Sequence, residues 1–529
     1  MRTKYKVSTI VFNFPAELRE RKIKKTTFSK QTGIAMNWQT GALLAILIAV
    51  PALARPAENQ VLEKQNHSPP NILFISVDDL NNWVGYLKGH PQVKTPNMDR
   101  LVEAGCAFTN AHCTTPLCQP SRTAVLTGLS PQKTKVYENK SRFDHTVYTM
   151  LPQFFAAHGY TTYGTGKVHH KKNVTEAIFQ KSYMTEQRWS PFESNDVDYT
   201  KKELPSKGSQ NPRHVILSGP AEKSYVMPFN RMSSERSPDD KKGESFDWSA
   251  FDLPDDAFGD SKIVDWATRE IGAHGSHEPF FMAVGFYRPH IPLYAPEKYF
   301  ELYPLDSIQL PTTRRNDLAD IPSAGKERAF GAVTAGTHAH VIQNGQWKNA
   351  VQAYLASISF VDHQIGRLLD CLEHSSKADN TLIVLFSDHG WHLGEKQAWG
   401  KQTGWIHSTQ VPLIFCGPSI QKNALCEETV SLLDLFPTLS EMAGFPTTDL
   451  DGVSLAHLLR DPDHKTGRVV KTFINSKDYV LSSKKYRYIY YGDGSEELYN
   501  VENDPREYRN LAGSHGSQKI ITALQGDLR

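Results

Sequence analysis

Cysteine is scarce: six in a chain of 529 residues are too few for a disulfide-built scaffold. With Cys118 set aside, Cys106, Cys113, Cys371, Cys416 and Cys426 remain, an odd number that leaves at least one unpaired. Cys416 and Cys426 are close enough in the chain to close a short loop in an oxidising compartment. Paired cysteines at zinc spacing with partner histidines are missing, which argues against a structural zinc. Charge of one sign is missing too. Lys and Arg number 59 against 57 Asp and Glu, a net +2, so there is no bulk attraction to nucleic acid or to an anionic membrane. Any anionic substrate has to be caught locally. Internal repeats are absent, and the apolar run at 42–50 falls short of the roughly 20 residues that a membrane helix needs.

That run ends at Pro51-Ala52-Leu53-Ala54, where Ala52 and Ala54 fit a signal-peptidase site. Residues 1–54 are therefore read as an N-terminal extension and signal peptide, leaving 529 − 54 = 475 residues. The mature chain is then secreted or periplasmic, with no stable membrane span after cleavage. The basic residues from Arg19 to Lys30 lie well before the run, and Met36 is an alternative start. Residues 55–69 are polar and proline-containing, a flexible beginning to the mature chain.

What the sequence does hold is 39% hydrophobic residues, enough for a sizeable core. Nearly continuous apolar runs at 71–77, 280–285, 381–386 and 411–415 predict strands buried on both faces. Between them, Val351, Leu355, Ile358, Val361, Ile365, Leu368 and Leu372 recur at three- and four-residue steps, the pattern of an amphipathic helix. The expected fold is α/β, a large, mostly parallel sheet sandwiched by helices. Residues 171–250 lack this rhythm and read as a long surface excursion from a catalytic domain over 70–444. Residues 445–529 read as a smaller antiparallel α+β subdomain, with a hairpin from Tyr486 to Tyr499 turning at Gly492-Asp493-Gly494-Ser495.

Three of the predicted strands lead into charged residues that need partners if buried: Asp78-Asp79, Arg288-Pro289-His290 and Asp388-His389-Gly390. In open parallel sheets the ligand site lies beyond the carboxyl ends of the strands. Carboxylates meeting there favour Ca²⁺ or Mg²⁺ over zinc. Asp78-Asp79 alone reads about equally well as a helix cap. Further on, Cys118-Gln119-Pro120-Ser121-Arg122 places a proline suited to a first helical turn beside a cysteine and a fixed positive charge. Read from the residues alone, Cys118 is either an activated thiolate at a helix start or a buried structural cysteine.

Cys118-x-Pro120-Ser121-Arg122 followed by Leu126-Thr127-Gly128 resembles the signature of the sulfatase family, in the alkaline-phosphatase-like superfamily. A second family signature is matched by Gly159-Tyr160 with Gly166-Lys167-Val168-His169-His170, and the resemblance runs from about Asn71 to Leu511. Lys167 with His170, the stretch Phe286 to Pro292 and Asp388-His389-Gly390-Trp391 look most like the iduronate-2-sulfatase branch. The resemblance implies a sulfuric ester hydrolase in which Cys118 becomes formylglycine (3-oxoalanine), so a formylglycine-generating maturase is an implied partner. It implies one Ca²⁺ held by Asp78, Asp79, Asp388, His389 and the modified Cys118. A histidine is an unusual ligand for this ion, which prefers oxygen. Lys167, His290 and Lys401 resemble sulfate-holding residues, and Arg122 and His170 those that position and deprotonate the formylglycine hydrate.

A hydrated aldehyde can attack sulfur through one hydroxyl and then, losing a proton from the other to His170, expel sulfate by carbon–oxygen cleavage. His290 or Lys401 then protonates the departing sugar oxygen. His169, His392 and His407 are read as surface or supporting groups. Trp391 and Trp405 are sugar platforms or core residues with equal weight. The segment Gly404-Trp405-Ile406-His407 departs from the family pattern. The expected substrate is a sulfated carbohydrate. The rivals are a phosphonate or phosphate monoester hydrolase of the same superfamily, and a catalytically silent glycan-binding relative.

Overall fold

A computed structural model describes residues 68–185, 214–218, 224–232, 246–275, 278–331 and 336–527; for 214–218 and 224–228 it describes the backbone. The expected signal peptide at 1–54 and all but the end of the 55–69 segment lie outside the described residues. Residues Asn66–Arg529 form one compact unit.

Its centre is an eight-stranded sheet. The strands are β1 (Asn71–Val77), β2 (Gly105–Phe108), β3 (Thr161–Gly166), β4 (Lys181–Tyr183), β5 (Phe280–Phe286), β6 (Thr381–Ser387), β7 (Leu413–Cys416) and β8 (Ala424–Cys426). They run in the order β8-β2-β7-β6-β1-β5-β3-β4. Every pairing is parallel except the two made by β7, which opposes both β6 and β2. The apolar runs thus mark the central strands, as their burial requires, and β7 is the one that reverses.

Because side chains alternate along a strand, β1 sends Ile72 and Phe74 into one apolar layer and Leu73, Ile75 and Val77 into the other. Of the helices α1 (Cys118–Thr127), α2 (Gly259–Ala273), α3 (Ser323–Phe330), α4 (Trp347–Glu373), α5 (Leu435–Met442) and α6 (Ser517–Gly526), α1, α2, α4 and α5 cover the two layers, while α3 and α6 lie in separate apolar clusters with residues of the C-terminal region. Helices α2 and α4 bury Ile263, Val351 and Leu355 on the Leu73 side, and α1 and α5 bury Val125 and Leu439 on the Phe74 side. The periodic run from Val351 to Leu372 is the buried stripe of α4.

The C-terminal texture change is a four-stranded antiparallel sheet of β9 (Val470–Phe473), β10 (Tyr479–Ser482), β11 (Tyr486–Tyr490) and β12 (Glu496–Asn500). The expected hairpin is the β11–β12 pair.

Two expectations need correction. The 171–250 stretch is not all surface excursion, because Lys172–Ile178 is helical and β4 is the edge strand of the main sheet. Cys416 and Cys426 are not positioned to pair. Strand β2 lies between β7 and β8, and Cys416 pairs with Gly105 while Cys426 pairs with Phe108, so their backbones are more than two strand spacings, ~9–10 Å, apart. A disulfide needs closer approach. All six cysteines are free. Among the described residues no helix is long and apolar enough to cross a membrane.

Candidate active site

Four adjacent parallel strands, β6, β1, β5 and β3, deliver their carboxyl ends to one edge of the sheet. Asp388-His389 follows β6, Asp78-Asp79 follows β1, Arg288 and His290 follow β5, and Lys167 follows β3. Lys167 is seated by two glycines. A Cβ on Gly166 would stand 2.1 Å from the Gly285 carbonyl oxygen, and one on Gly285 would stand 2.2 Å from the Lys167 carbonyl carbon. Gly166 also has φ +67°, a conformation that side chains resist. The bare backbones let β3 and β5 close, with Lys167 N donating to Gly285 O at 2.7 Å.

Cys118 is the first residue of α1 and wholly buried. Its sulfur lies 3.1 Å from Lys401 Nζ, 3.3 Å from His389 Nε2 and 3.5 Å from Lys167 Nζ. It is also hydrogen-bonded by His170. Burial alone would raise the thiol pKa, but Lys167, Lys401 and His389 outweigh it and hold Cys118 well below the ordinary thiol value.

The acids stand against the same atom. Asp78 and Cys118 belong to two overlapping groups of close ligand atoms, one completed by Asp79 and His290, the other by Asp388 and His389. Arg122 ties the acids together. Its Nε donates to Asp388 Oδ2 at 2.7 Å, its Nη2 contacts Asp78 Oδ1 at 3.3 Å, and its Nη1 donates to the Lys167 carbonyl. Lys167 pairs with Asp78, and Lys401 Nζ donates to Asp79 Oδ1 at 2.7 Å. Burial would raise the Asp78 carboxyl, yet Lys167, His290 and Arg122 hold it well below the usual carboxylate range. His290 is pulled down, chiefly by burial and against the attraction of Asp79; its Nδ1 lies 2.5 Å from the Ile291 carbonyl, while Nε2 faces Asp79 Oδ2 at 3.8 Å.

All the residues singled out in the sequence are therefore brought to one place: Asp78, Asp79, Cys118, Arg122, Lys167, His170, His290, Asp388, His389 and Lys401. The donor set suits a divalent cation. Asp79 Oδ2 is buried without a hydrogen-bond partner, and an unpaired buried carboxylate oxygen is costly unless a cation faces it. Asp78, Asp79, Asp388 and His389 offer three carboxylates and an imidazole, with hard oxygens in the majority.

Several supports were not legible in the sequence. Tyr354, on α4, donates its hydroxyl to Asp79 O at 2.7 Å and accepts from Asn81 N at 2.9 Å. Ser387 Oγ accepts from Leu80 N at 3.0 Å and donates to His389 O at 2.9 Å. Ser121 Oγ donates to Asp388 O at 2.6 Å. Tyr354 and Ser387 carry no spacing signal, since each acts through a backbone turn rather than a ligand pattern, and Ser121 stands within the Cys118 signature, which does not reveal its bond to Asp388.

The three histidines read as bland are supporting groups rather than ligands. His169 bonds Thr123 Oγ1 at 3.2 Å, His392 bonds Thr403 Oγ1 at 2.8 Å, and His407 lies 3.8 Å from Glu395. Trp391 and Trp405 resolve to the core reading, being 2% and 0% exposed. Trp405 Nε1 donates to Glu497 of β12 at 2.9 Å, so the unusual segment after Lys401 is docked on the C-terminal sheet.

Known proteins share this arrangement of sequence and fold. The sulfatase family profile matches residues 70–445, and that of the N-sulphoglucosamine sulphohydrolase C-terminal region matches 394–529. The chain belongs to the sulfatase family and is a sulfuric ester hydrolase. A sulfatase from Formosa agariphila is 35% identical over 489 residues, 91% of this chain and 90% of that protein. The mouse iduronate 2-sulfatase is 29% identical over 71% of this chain and 69% of its own length. Two solved structures share the fold, each at a TM-score of 0.65. One is a complex with D-glucosamine-2-N,6-O-disulfate, 20% identical and covering 87% of this chain and 96% of that one. The other is a phosphonate monoester hydrolase of Agrobacterium radiobacter, 22% identical and covering 86% and 95%.

Proposed function

We propose that this protein removes a sulfate ester from a sulfated sugar in the manner of the iduronate 2-sulfatases, using a formylglycine made from Cys118 and one calcium ion. The observation that carries the reading is the convergence of Lys167, Lys401, His389 and His170 on the Cys118 sulfur beside three buried acids. The iduronate 2-sulfatase relative and the disulfated glucosamine bound to a fold neighbour support the sugar substrate. Export to the periplasm or medium rests on the apolar run at 42–50 and Ala52/Ala54.

Asp78, Asp79, Asp388 and His389 would hold the ion, beside residue 118. When bound, calcium supplies positive charge against the repulsion between an anionic ester and its attacking oxygen. A hydrated aldehyde at 118 supplies a nucleophile that can later release sulfate without a second attack at sulfur. The remaining work falls to the chain's own side chains. Lys167 and Lys401 bind the sulfate oxygens, and their positive charge is preorganised by Asp78 and Asp79. Arg122 fixes Asp78 and Asp388 in register. His170 takes a proton at residue 118, and His290 or Lys401 gives one to the departing sugar oxygen.

The phosphonate hydrolase neighbour favours one rival reading. Protein co-expressed with a formylglycine-generating maturase, supplied with calcium and assayed on sulfated glycans, phosphate esters and phosphonate monoesters, separates the two. Preferred release of sulfate, lost in Cys118→Ala, is the expected result. Preference for a phosphorus ester, or sulfate release surviving Cys118→Ala, would sink the reading.

A further inference from the structure

Beyond the reaction centre, a cavity of about 270 Å³ opens between α3 and the C-terminal sheet, with Glu327, Arg328, Lys401, Gln402 and Asp478 in its wall. It shares that wall with the reaction centre. Lys401 Nζ touches the Cys118 sulfur, and Gln402 N donates to Pro116 O at 3.1 Å, two residues before Cys118.

The cation of interest is Arg328. Its Nη2 donates to Asp478 Oδ2 at 2.6 Å, and its side chain stays 27% exposed. Asp478 is itself fixed: Oδ1 accepts from Gly492 N at 2.9 Å and Oδ2 accepts from Asn475 Nδ2 at 2.9 Å. One edge of a planar guanidinium is thereby clamped from the C-terminal sheet. A clamped guanidinium is suited to take a carboxylate or sulfate with two parallel hydrogen bonds at little ordering cost. The acids in the wall do not cancel this fit. Asp478 already accepts three hydrogen bonds, and Glu327, next to Arg328 on α3, offers acceptors suited to sugar hydroxyls.

We propose that Arg328 is a specificity-determining residue, binding a second anionic group (carboxylate or sulfate) on the sugar whose sulfate ester lies at Cys118. The C-terminal sheet then has a part in substrate choice, through Asp478. This rests on the sulfatase reading above.

The test compares wild type, Arg328→Gln and Arg328→Lys on three sulfate esters: a sulfated uronate, a disulfated hexosamine and an aryl sulfate that has no other charge. Expected is a fall of about tenfold or more in kcat/KM for a doubly anionic sugar relative to the aryl sulfate in Arg328→Gln. It should appear mainly in KM, with partial recovery in Arg328→Lys. Which sugar loses most identifies the second group as carboxylate or sulfate. An unchanged ratio for both sugars overturns the proposal. Calorimetric titration with glucuronate and glucose reads the same contact without turnover. Tighter binding of glucuronate that disappears in Arg328→Gln supports the role of Arg328 even if no sulfate is released, an outcome that would count against the sulfatase reading alone. Equal binding of the two sugars by wild type overturns a carboxylate at Arg328, and equal binding together with an unchanged ratio for the disulfated hexosamine overturns the proposal entirely.

Discussion

Replacing Arg122 with Met keeps most of the side-chain volume and removes the charge that Asp78 and Asp388 share. Arg122 is 1% exposed, and both acids are fully buried. Asp78 keeps Lys167, but the nearest remaining cationic group to Asp388 is His389, at 3.7 Å. The variant also forfeits the guanidinium bonds to Val168 O at 3.2 Å and Ser76 Oγ at 3.3 Å. Stripping one partner from a buried ion pair costs about 3–5 kcal/mol, because the other charge stays desolvated and unopposed. Unfolding entropy is about 2.1 cal/mol/K per residue, so a unit of the size of Asn66–Arg529 carries about 1 kcal/mol/K. The expected fall in melting temperature is therefore about 3–5 °C, measured by calorimetry in chelator at one scan rate. Saturating calcium should narrow the gap, since an ion held by Asp78 and Asp388 offsets part of the lost charge. A shift within about 1 °C of wild type in chelator would refute the claim that Arg122 neutralises these acids.

Burial, reinforced by His170, holds His169 down at about 3. The folded protein keeps this imidazole neutral while the unfolded chain takes up a proton below about 6.5, so stability falls as pH drops through that window. His169→Gln should remove this dependence, shrinking wild type's stability relative to the variant by about 1 kcal/mol per pH unit between pH 6 and 4 in urea titrations. Parallel curves would contradict it. Gly285→Ala should push Lys167 from its seat and cut kcat/KM about a hundredfold, since an ångström of misplacement at a reaction centre costs that much. An active variant would show that the close approach of β3 and β5 is dispensable. Trp405→Phe should cost about 1.5–3 kcal/mol of unfolding free energy, measured by denaturant titration, by removing a donor from the buried Glu497 carboxylate. Tyr491 and Tyr499 still donate to that carboxylate, which places the expectation at the lower end.

The central strands were legible because burial on both faces leaves an unbroken apolar run, and β1, β5 and β6 each carry one. Strand β3, Thr-Thr-Tyr-Gly-Thr-Gly, carries no such run. Its glycines answer to neighbours that no local pattern reveals: a Cβ on Gly164 would meet the Phe179 ring at 2.3 Å, and one on Gly166 would meet Gly285. The reversal of β7 was hidden for another reason, since an apolar run records burial and carries no direction. At the site, the acids after β1 and β6 were visible as charges that a buried strand would otherwise not tolerate. Cys118, Lys167 and His170 stood out through family signatures. Tyr354, Ser387 and Arg328 escaped because their partners are far along the chain: Tyr354 reaches Asp79, and Arg328 reaches Asp478.

The most direct measurement is the mass of the tryptic peptide containing Cys118, from protein purified out of its native host. The expected result is an aldehyde in place of the thiol in the active fraction, with sulfate release rising in proportion to its share. A peptide that holds only unmodified thiol, in protein that still hydrolyses sulfate esters, would contradict the assignment of residue 118.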